Sequence, residues 1–224
     1  MNFRYPIFLD LTGKRCLVTG EGCEVAGKIR ALLDASAQVI YVNPTAESQI
    51  TQLSATGLVT WYARDFEERD LDGCFLVIAG LNDNSKVFCL CEKRGILCNA
   101  IDDPKHCRFS FGSIHRRGDL TIAISTNGSA PALAVRLKEK LQREIGSEFQ
   151  VLLDMLKNVR PEITDRIRDF DARKALWYRI VDSELLDLLR AGRTQEADQA
   201  LRQMVDDAVN STSRSDISGD GDGQ

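Results

Sequence analysis

Two adjacent carboxylates, Asp102 and Asp103, close the apolar run "ILCNAI" (96–101), and Pro104 follows at once. A short apolar run bounded by turn-forming residues reads as a buried strand. A carboxylate delivered at the end of such a strand is a proton acceptor placed where open α/β sheets hold their ligands. Model carboxylates titrate near ~4, so a working base there calls for desolvation or a neighbouring like charge. Consecutive side chains of an extended chain point to opposite sides, so the two carboxylates would take different roles, one as a base and the other in a turn or cap. The plainer alternative is an Asx turn ahead of Pro104. His106 could shuttle protons or touch a metal, or it could simply be solvated; His115 has weaker claims.

A second chemical signal is "VTGEGCEVAGK" (18–28). Gly20 would permit a tight turn after a strand, and Gly22 would let backbone N–H groups approach a pyrophosphate at a helix N-terminus. The third small residue of a dinucleotide fingerprint is due at position 25, where the chain has Val25, with Ala26 and Gly27 just beyond. The end of the next strand, "YVNPT", offers Asn43 in place of the usual ribose-binding carboxylate. An amide can still bond a ribose hydroxyl, and no arginine adjoins it to hold a 2′-phosphate, which favours NAD over NADP. The alternative is an ordinary tight turn that binds no nucleotide.

Ser125, Thr126, Asn127 and Gly128 lie between a strand and a helix start, a place suited to substrate carboxylates. Helix capping by Ser129, with Pro131 in the first turn, explains the same residues without a ligand. Arg108, Arg116 and Arg117 could pair with an acidic substrate or be ordinary surface charges.

The elements that must position these groups read as an alternation. "CLVTG" (16–20), "QVIYVNP" (38–44), "LVTWYA" (58–63), "CFLVIAG" (74–80) and "ILCNAI" (96–101) are strands. Helices are predicted after the glycine turn, where Val25, Ile29, Leu32 and Leu33 share a face, and over "NSKVFCLCEKRG" (84–95). Strand, helix, strand in this order gives a parallel, doubly wound sheet. "DLTIAIST" (119–126) is a further strand before the helix of 127–146, and the chain then turns helical. Pro161 reads as the start of a new helix, Gly192 as a stop, and Thr194 as the start of the last helix. From Asn210 the Ser/Asp/Gly composition predicts disorder, and "DISGDG" lacks the later carboxylate that a calcium loop requires.

The totals bound the function. The 224 residues allow one full domain and a smaller companion. Acidic and basic residues nearly balance, 33 against 29, which argues against a nucleic-acid surface. No run approaches a membrane span, and Arg4, Pro6 and Asp10 interrupt any signal-peptide core, so the cytoplasm is expected. Seven cysteines without a CxxC pair read as packing thiols of a reducing compartment; a Cys89-x-Cys91 metal clip is the alternative.

Several blocks together resemble one family, the N-terminal module of siroheme synthases, which acts as an NAD-dependent precorrin-2 dehydrogenase. They are "YPIFLDLTGKRCLVTGEG", "DFEERDLDGCFLVIAGLNDN", "RGILCNAIDDPKHCRFSFGSI" and "RRGDLTIAISTNGSAPALAVRLKEKL", with a looser match in "RKALWYRIVDSELLDLLRAGRTQEADQAL". The resemblance implies a Rossmann-like parallel sheet, a central dimerisation region and a helical C-terminal domain. It implies residues 1–112 as the NAD-binding domain, 113–146 as the dimerisation region and 147–209 as the helical domain, with 210–224 a disordered tail. Asp102 takes the place of the family's aspartate, which implies the base role for Asp102 and leaves Asp103 a turn or capping role. Gly20, Gly22, Cys23, Glu24, Asn43, Pro44, Thr45 and Gly80 fall on the cofactor, and Ser125, Thr126, Asn127, Gly128, Arg108 and Arg116 on the substrate. The implied reaction oxidises precorrin-2 to sirohydrochlorin with NAD, in some members followed by Fe²⁺ insertion, within a homodimer that engages neither nucleic acid nor membrane. Departures from the family's pattern are Glu21 inside the glycine turn, Cys23-Glu24, "AGLND" (79–83), Gly112, and Ser125 to Gly128. Two readings without catalysis stand beside it: an NAD-sensing regulatory domain, and a tetrapyrrole-binding module that has lost its nucleotide.

Overall fold

Residues 4–218 are described by the structure, a computed structural model, and they fall into two compact units that divide after Phe111. In the first, five parallel strands stand in the order β3-β2-β1-β4-β5: β1 Arg15–Gly20, β2 Gln38–Val42, β3 Val59–Tyr62, β4 Leu76–Gly80 and β5 Leu97–Ala100. Period-two alternation sends successive residues of each strand to opposite faces. Cys16, Val18, Val39, Tyr41, Leu76 and Ile78 pack on one side with helix α1 (Cys23–Asp34) and helix α2 (Ser48–Ala55). Leu17, Ile40, Val42, Val77 and Ala79 pack on the other with helix α3 (Ser85–Arg94). The strand order reverses between β1 and β4, so their carboxyl ends open the crevice in which doubly wound sheets bind ligands.

All seven cysteines are free. Cys16 is a packing thiol whose titration burial pushes up to about 11. Cys89 is exposed and Cys91 buried, because residues two apart on α3 point to different sides, so the pair forms no clip.

One polar group is locked into this core. Asp70 is buried and receives both ends of the Arg64 guanidinium, at 2.8 and 2.6 Å, together with the Glu67 amide at 2.8 Å. The guanidinium, and then the amide, hold its carboxyl below the usual carboxylate range against the opposing effect of burial. A depressed carboxyl contributes stability that is complete above its unfolded pKa of about 3.9 and fades as pH falls through the folded value. Asp70→Asn is therefore expected to melt several degrees lower than the parent at pH 7. Melting curves taken downward from pH 4 should show that gap closing.

The second unit opens with an antiparallel hairpin, β6 (Ser113–Arg117) and β7 (Leu120–Ile124), on which helix α4 (Pro131–Glu144) packs. His115 is buried on β6, and its Nε2 shares a hydrogen bond of 3.2 Å with the Ile145 carbonyl. Helices α5 (Glu148–Arg166), α6 (Phe170–Val181), α7 (Leu185–Arg190) and α8 (Thr194–Ser218) form a bundle around Ile163, Ile167, Ile180, Leu185 and Leu201.

Two expectations are corrected here. Pro161 begins no helix; it lies inside α5, where buried Val159 and Ile163 flank it and hold the helix through the lost hydrogen bond. Nor does order end at residue 209: α8 runs on to Ser218, because each added residue of a helix anchored by Ala197, Leu201, Val205 and Val209 gains a bond without a new nucleus. Positions 219–224, which hold the rest of the expected disordered tail and the end of "DISGDG", lie outside the described residues. Among those described, no helix is long and apolar enough to cross a membrane.

Candidate active site

The glycine turn follows β1 directly and leads into α1. Gly20 has φ +103, and a Cβ built on it would collide with the Gly80 backbone, 2.6 Å from its Cα and closer still to its carbonyl. Those two glycines are partners in the β1–β4 register. Gly22 is the N-cap of α1 at φ +105 and faces open space. The amides of Cys23 and Glu24 are in the first turn of α1, where N–H groups have no partner within the helix. A bare backbone surface at a helix N-terminus fits a pyrophosphate.

Val25 does not disturb this fit. The third glycine of the fingerprint lets helix and strand pack closely. Here Gly80 meets that need from β4: a Cβ on it would stand 3.0 Å from Val25 Cγ2 and 3.3 Å from Ile101 Cδ1. The space a glycine at position 25 would leave is filled by a buried Val25 lying over Gly80.

Asn43 is buried, and its side-chain amide donates to the Thr45 carbonyl at 2.9 Å and to Thr45 Oγ1 at 3.3 Å. Its carbonyl accepts from the Trp61 indole at 3.0 Å. The residue therefore shapes the loop after β2, while Pro44 and Thr45 are exposed beside it. Tyr41, buried on β2, ties that loop to the glycine turn by donating its hydroxyl to Gly20 O at 2.7 Å and Thr45 O at 3.1 Å. Burial first, then the carboxylates of Glu21 and Glu47, push its titration up to about 12, so it stays a neutral donor. Removing that hydroxyl leaves the Gly20 carbonyl buried without its partner. Tyr41→Phe is expected to lose roughly 1–2 kcal/mol in urea unfolding and to bind a dinucleotide several-fold more weakly by calorimetry.

Asp102 stands just beyond β5 at φ +57, the left-handed region, in which aspartate is among the tolerated side chains. It is exposed, and among the described residues no hydrogen bond occupies its carboxylate. Lys28 of α1 is half-buried with its ammonium 3.9 Å from the centre of the Phe111 ring. Burial lowers the titration of this lysine, and the charges of Glu24 and Asp102 oppose the change. One cation thus senses both the first turn of α1 and the end of β5. Asp103 is committed elsewhere: its carboxylate meets His106 Nδ1 at 2.6 Å, and the imidazole packs on Phe88.

The remaining expected residues are arranged as follows. Arg108 donates from Nε and Nη2 to the two carboxylate oxygens of Glu92 and lies over the Phe88 ring. Arg116 is exposed on β6. Ser125 to Gly128 form the β7–α4 connection, with Asn127 at φ +52 and Gly128 at φ +82. Ser125 Oγ accepts from Asn127 N at 3.1 Å and Thr126 Oγ1 from Ala130 N at 3.2 Å; Ala130, not Ser129, is the N-cap of α4. The Lys28–Asp102 relation and the Tyr41 bridge escaped the sequence reading. Their partners lie far apart in the chain, so residue spacing left no trace of either.

Elsewhere in the first unit, a groove of about 500 Å³ is lined by Arg15, Leu33, Gln38, Leu58 and Thr60. Its lining takes in the first residues of β1 and β2 and runs along β3, and it includes neither Asp102 nor the glycine turn. Among the described residues, no group of three or more His, Cys, Asp or Glu side chains could hold a metal ion.

Comparison with known proteins follows these divisions. Residues 7–113 match an NAD(P)-binding family model, 117–144 the sirohaem biosynthesis protein central model, and 150–205 the sirohaem synthase dimerisation region. The dimerisation model thus falls on the helical bundle, not on 113–146, where the sequence reading placed that region. The siroheme synthase of Photorhabdus laumondii is 34% identical over 204 residues, 90% of this chain and 43% of that protein. That of Pseudoalteromonas translucida is 36% identical over 203 residues, 89% of this chain and 43% of that protein. The chain therefore spans under half the length of these curated relatives. Among solved structures, SirC, precorrin-2 dehydrogenase, superposes with a TM-score of 0.75 at 25% identity, covering 89% of this chain and 100% of that one.

Proposed function

Because this chain belongs to the family of the siroheme-synthase N-terminal module, we propose that it oxidises precorrin-2 to sirohydrochlorin with NAD⁺ as the acceptor. The observation that carries this reading is that the Gly20–Gly22 turn follows β1 and Asp102 follows β5 in one parallel sheet, so a cofactor cradle and an uncommitted carboxylate stand at the same, carboxyl-terminal edge.

The reaction removes a hydride and a proton from the tetrapyrrole. When bound, the nicotinamide supplies the hydride acceptor. The amides at Gly22, Cys23 and Glu24 would hold the pyrophosphate, and Tyr41 keeps the turn and the β2 loop in register beneath it. Asp102 would take the proton from the ring carbon as the hydride leaves, and its exposure lets it pass that proton to water. The choice of NAD over NADP is supported by a β2 end with no arginine for a 2′-phosphate.

Fe²⁺ insertion into sirohydrochlorin belongs to the same proposal, with the metal as substrate and Asp102 accepting the pyrrole protons. Homodimerisation through 150–205 and binding of the tetrapyrrole acids at Ser125 to Gly128 and Arg116 complete it. A cytoplasmic location accords with seven free thiols. Mixing the purified chain with NAD⁺ and precorrin-2 and following absorbance tests the central step. Sirohydrochlorin and NADH should appear together in equal amounts. NAD⁺ binding without turnover would leave a sensing or tetrapyrrole-carrying module instead.

A further inference from the structure

We propose that Glu21 recognises the adenosine ribose diol and thereby excludes a 2′-phosphorylated cofactor; this rests on the dinucleotide reading above. Doubly wound folds usually take this carboxylate from the end of β2. In this chain that position is Asn43, which is 6% exposed and has its amide N–H groups engaged by Thr45. The Asn43 N–H groups are thus not open to a ribose hydroxyl, and the end of β2 offers no carboxylate of its own. Glu21 reaches the same place from the glycine turn. Its Oε2 accepts from Thr45 Oγ1 at 3.4 Å, across from β1 to the β2 loop. The carboxylate is otherwise exposed and accepts no other hydrogen bond among the described residues.

The placement also settles an apparent conflict. A carboxylate over the N-terminus of α1 would repel a pyrophosphate. Directed along the β2 loop, it leaves the Gly22 cradle open. Tyr41 fixes the two loops against each other through Gly20 O and Thr45 O, so the distance between Glu21 and the cradle is held by a buried group. A carboxylate beside the loop accepts bonds from two vicinal hydroxyls and repels a phosphate dianion there. Glu47 is the rival, since its charge also bears on Tyr41, after that of Glu21.

The test is calorimetric titration of the full chain, and of its E21Q and E47Q variants, with NAD⁺ and with NADP⁺. Melting curves establish that each variant is folded. The parent should bind NAD⁺ clearly more tightly than NADP⁺. E21Q should weaken NAD⁺ by about 10-fold, the scale of a lost charge-assisted hydrogen bond, and should strengthen NADP⁺. E47Q should behave as the parent. NAD⁺ binding unchanged in E21Q, or the loss found in E47Q instead, overturns the assignment while leaving the dinucleotide site standing. A parent that binds neither cofactor overturns both.

Discussion

Gly20→Ala is expected to abolish dinucleotide binding and to destabilise the first unit by more than about 4 kcal/mol, beyond the usual range for single substitutions. Two effects combine. The backbone at φ +103 is one that L side chains rarely adopt, and strain of that kind costs about 1–3 kcal/mol. The added methyl also meets the Gly80 carbonyl, carbonyl carbon and Cα, all of them backbone atoms of a paired strand that cannot rotate aside. To admit it, β1 and β4 must separate at their carboxyl ends, which also pulls Tyr41 from the Gly20 carbonyl. Gly22→Ala separates the two effects, because its Cβ would enter open space at φ +105. That variant should lose binding with a smaller loss of stability. Urea unfolding and NAD⁺ calorimetry on both proteins decide the matter; a Gly20→Ala midpoint near that of the parent would mean that the strands yield there.

The sheet was legible because its strands are buried on both faces and read as apolar runs such as "CLVTG" and "LVIAG". α2 was not, since in "SQITQLSA" Ile50 alone is fully buried and no apolar stripe marks the helix. Nor was β6: "SIHRR" carries two arginines, and its buried member is a histidine. The chemistry was legible to a different depth. Asp102 announced itself by position, as a polar residue where an apolar run stops. The work of Val25, Asn43 and Glu21 could not be read from spacing, because it depends on contacts with Gly80 and Thr45 across the sheet. A motif rule asks whether a small residue stands at position 25. Packing asks whether helix and strand have room, and Gly80 supplies that room from another strand.

Asp102→Asn should lower the turnover of precorrin-2 by at least about 100-fold, the lower end of what a positioned general base contributes. NAD⁺ affinity should stay within about twofold of the parent, since the residue lies beyond β5 and outside the Gly22 cradle. Asparagine is the informative replacement. It keeps the shape and, like aspartate, tolerates the left-handed φ of +57, whereas alanine would add backbone strain and blur the result. Folding should be little affected, because the exposed carboxylate makes no hydrogen bond among the described residues. The neighbouring Asp103→Asn is the control: that carboxylate is held by His106, and its loss should leave turnover within a few-fold of the parent. Sirohydrochlorin formation at the parental rate in Asp102→Asn would remove the base from this residue. A large loss in Asp103→Asn alone would move it to the Asp103–His106 pair.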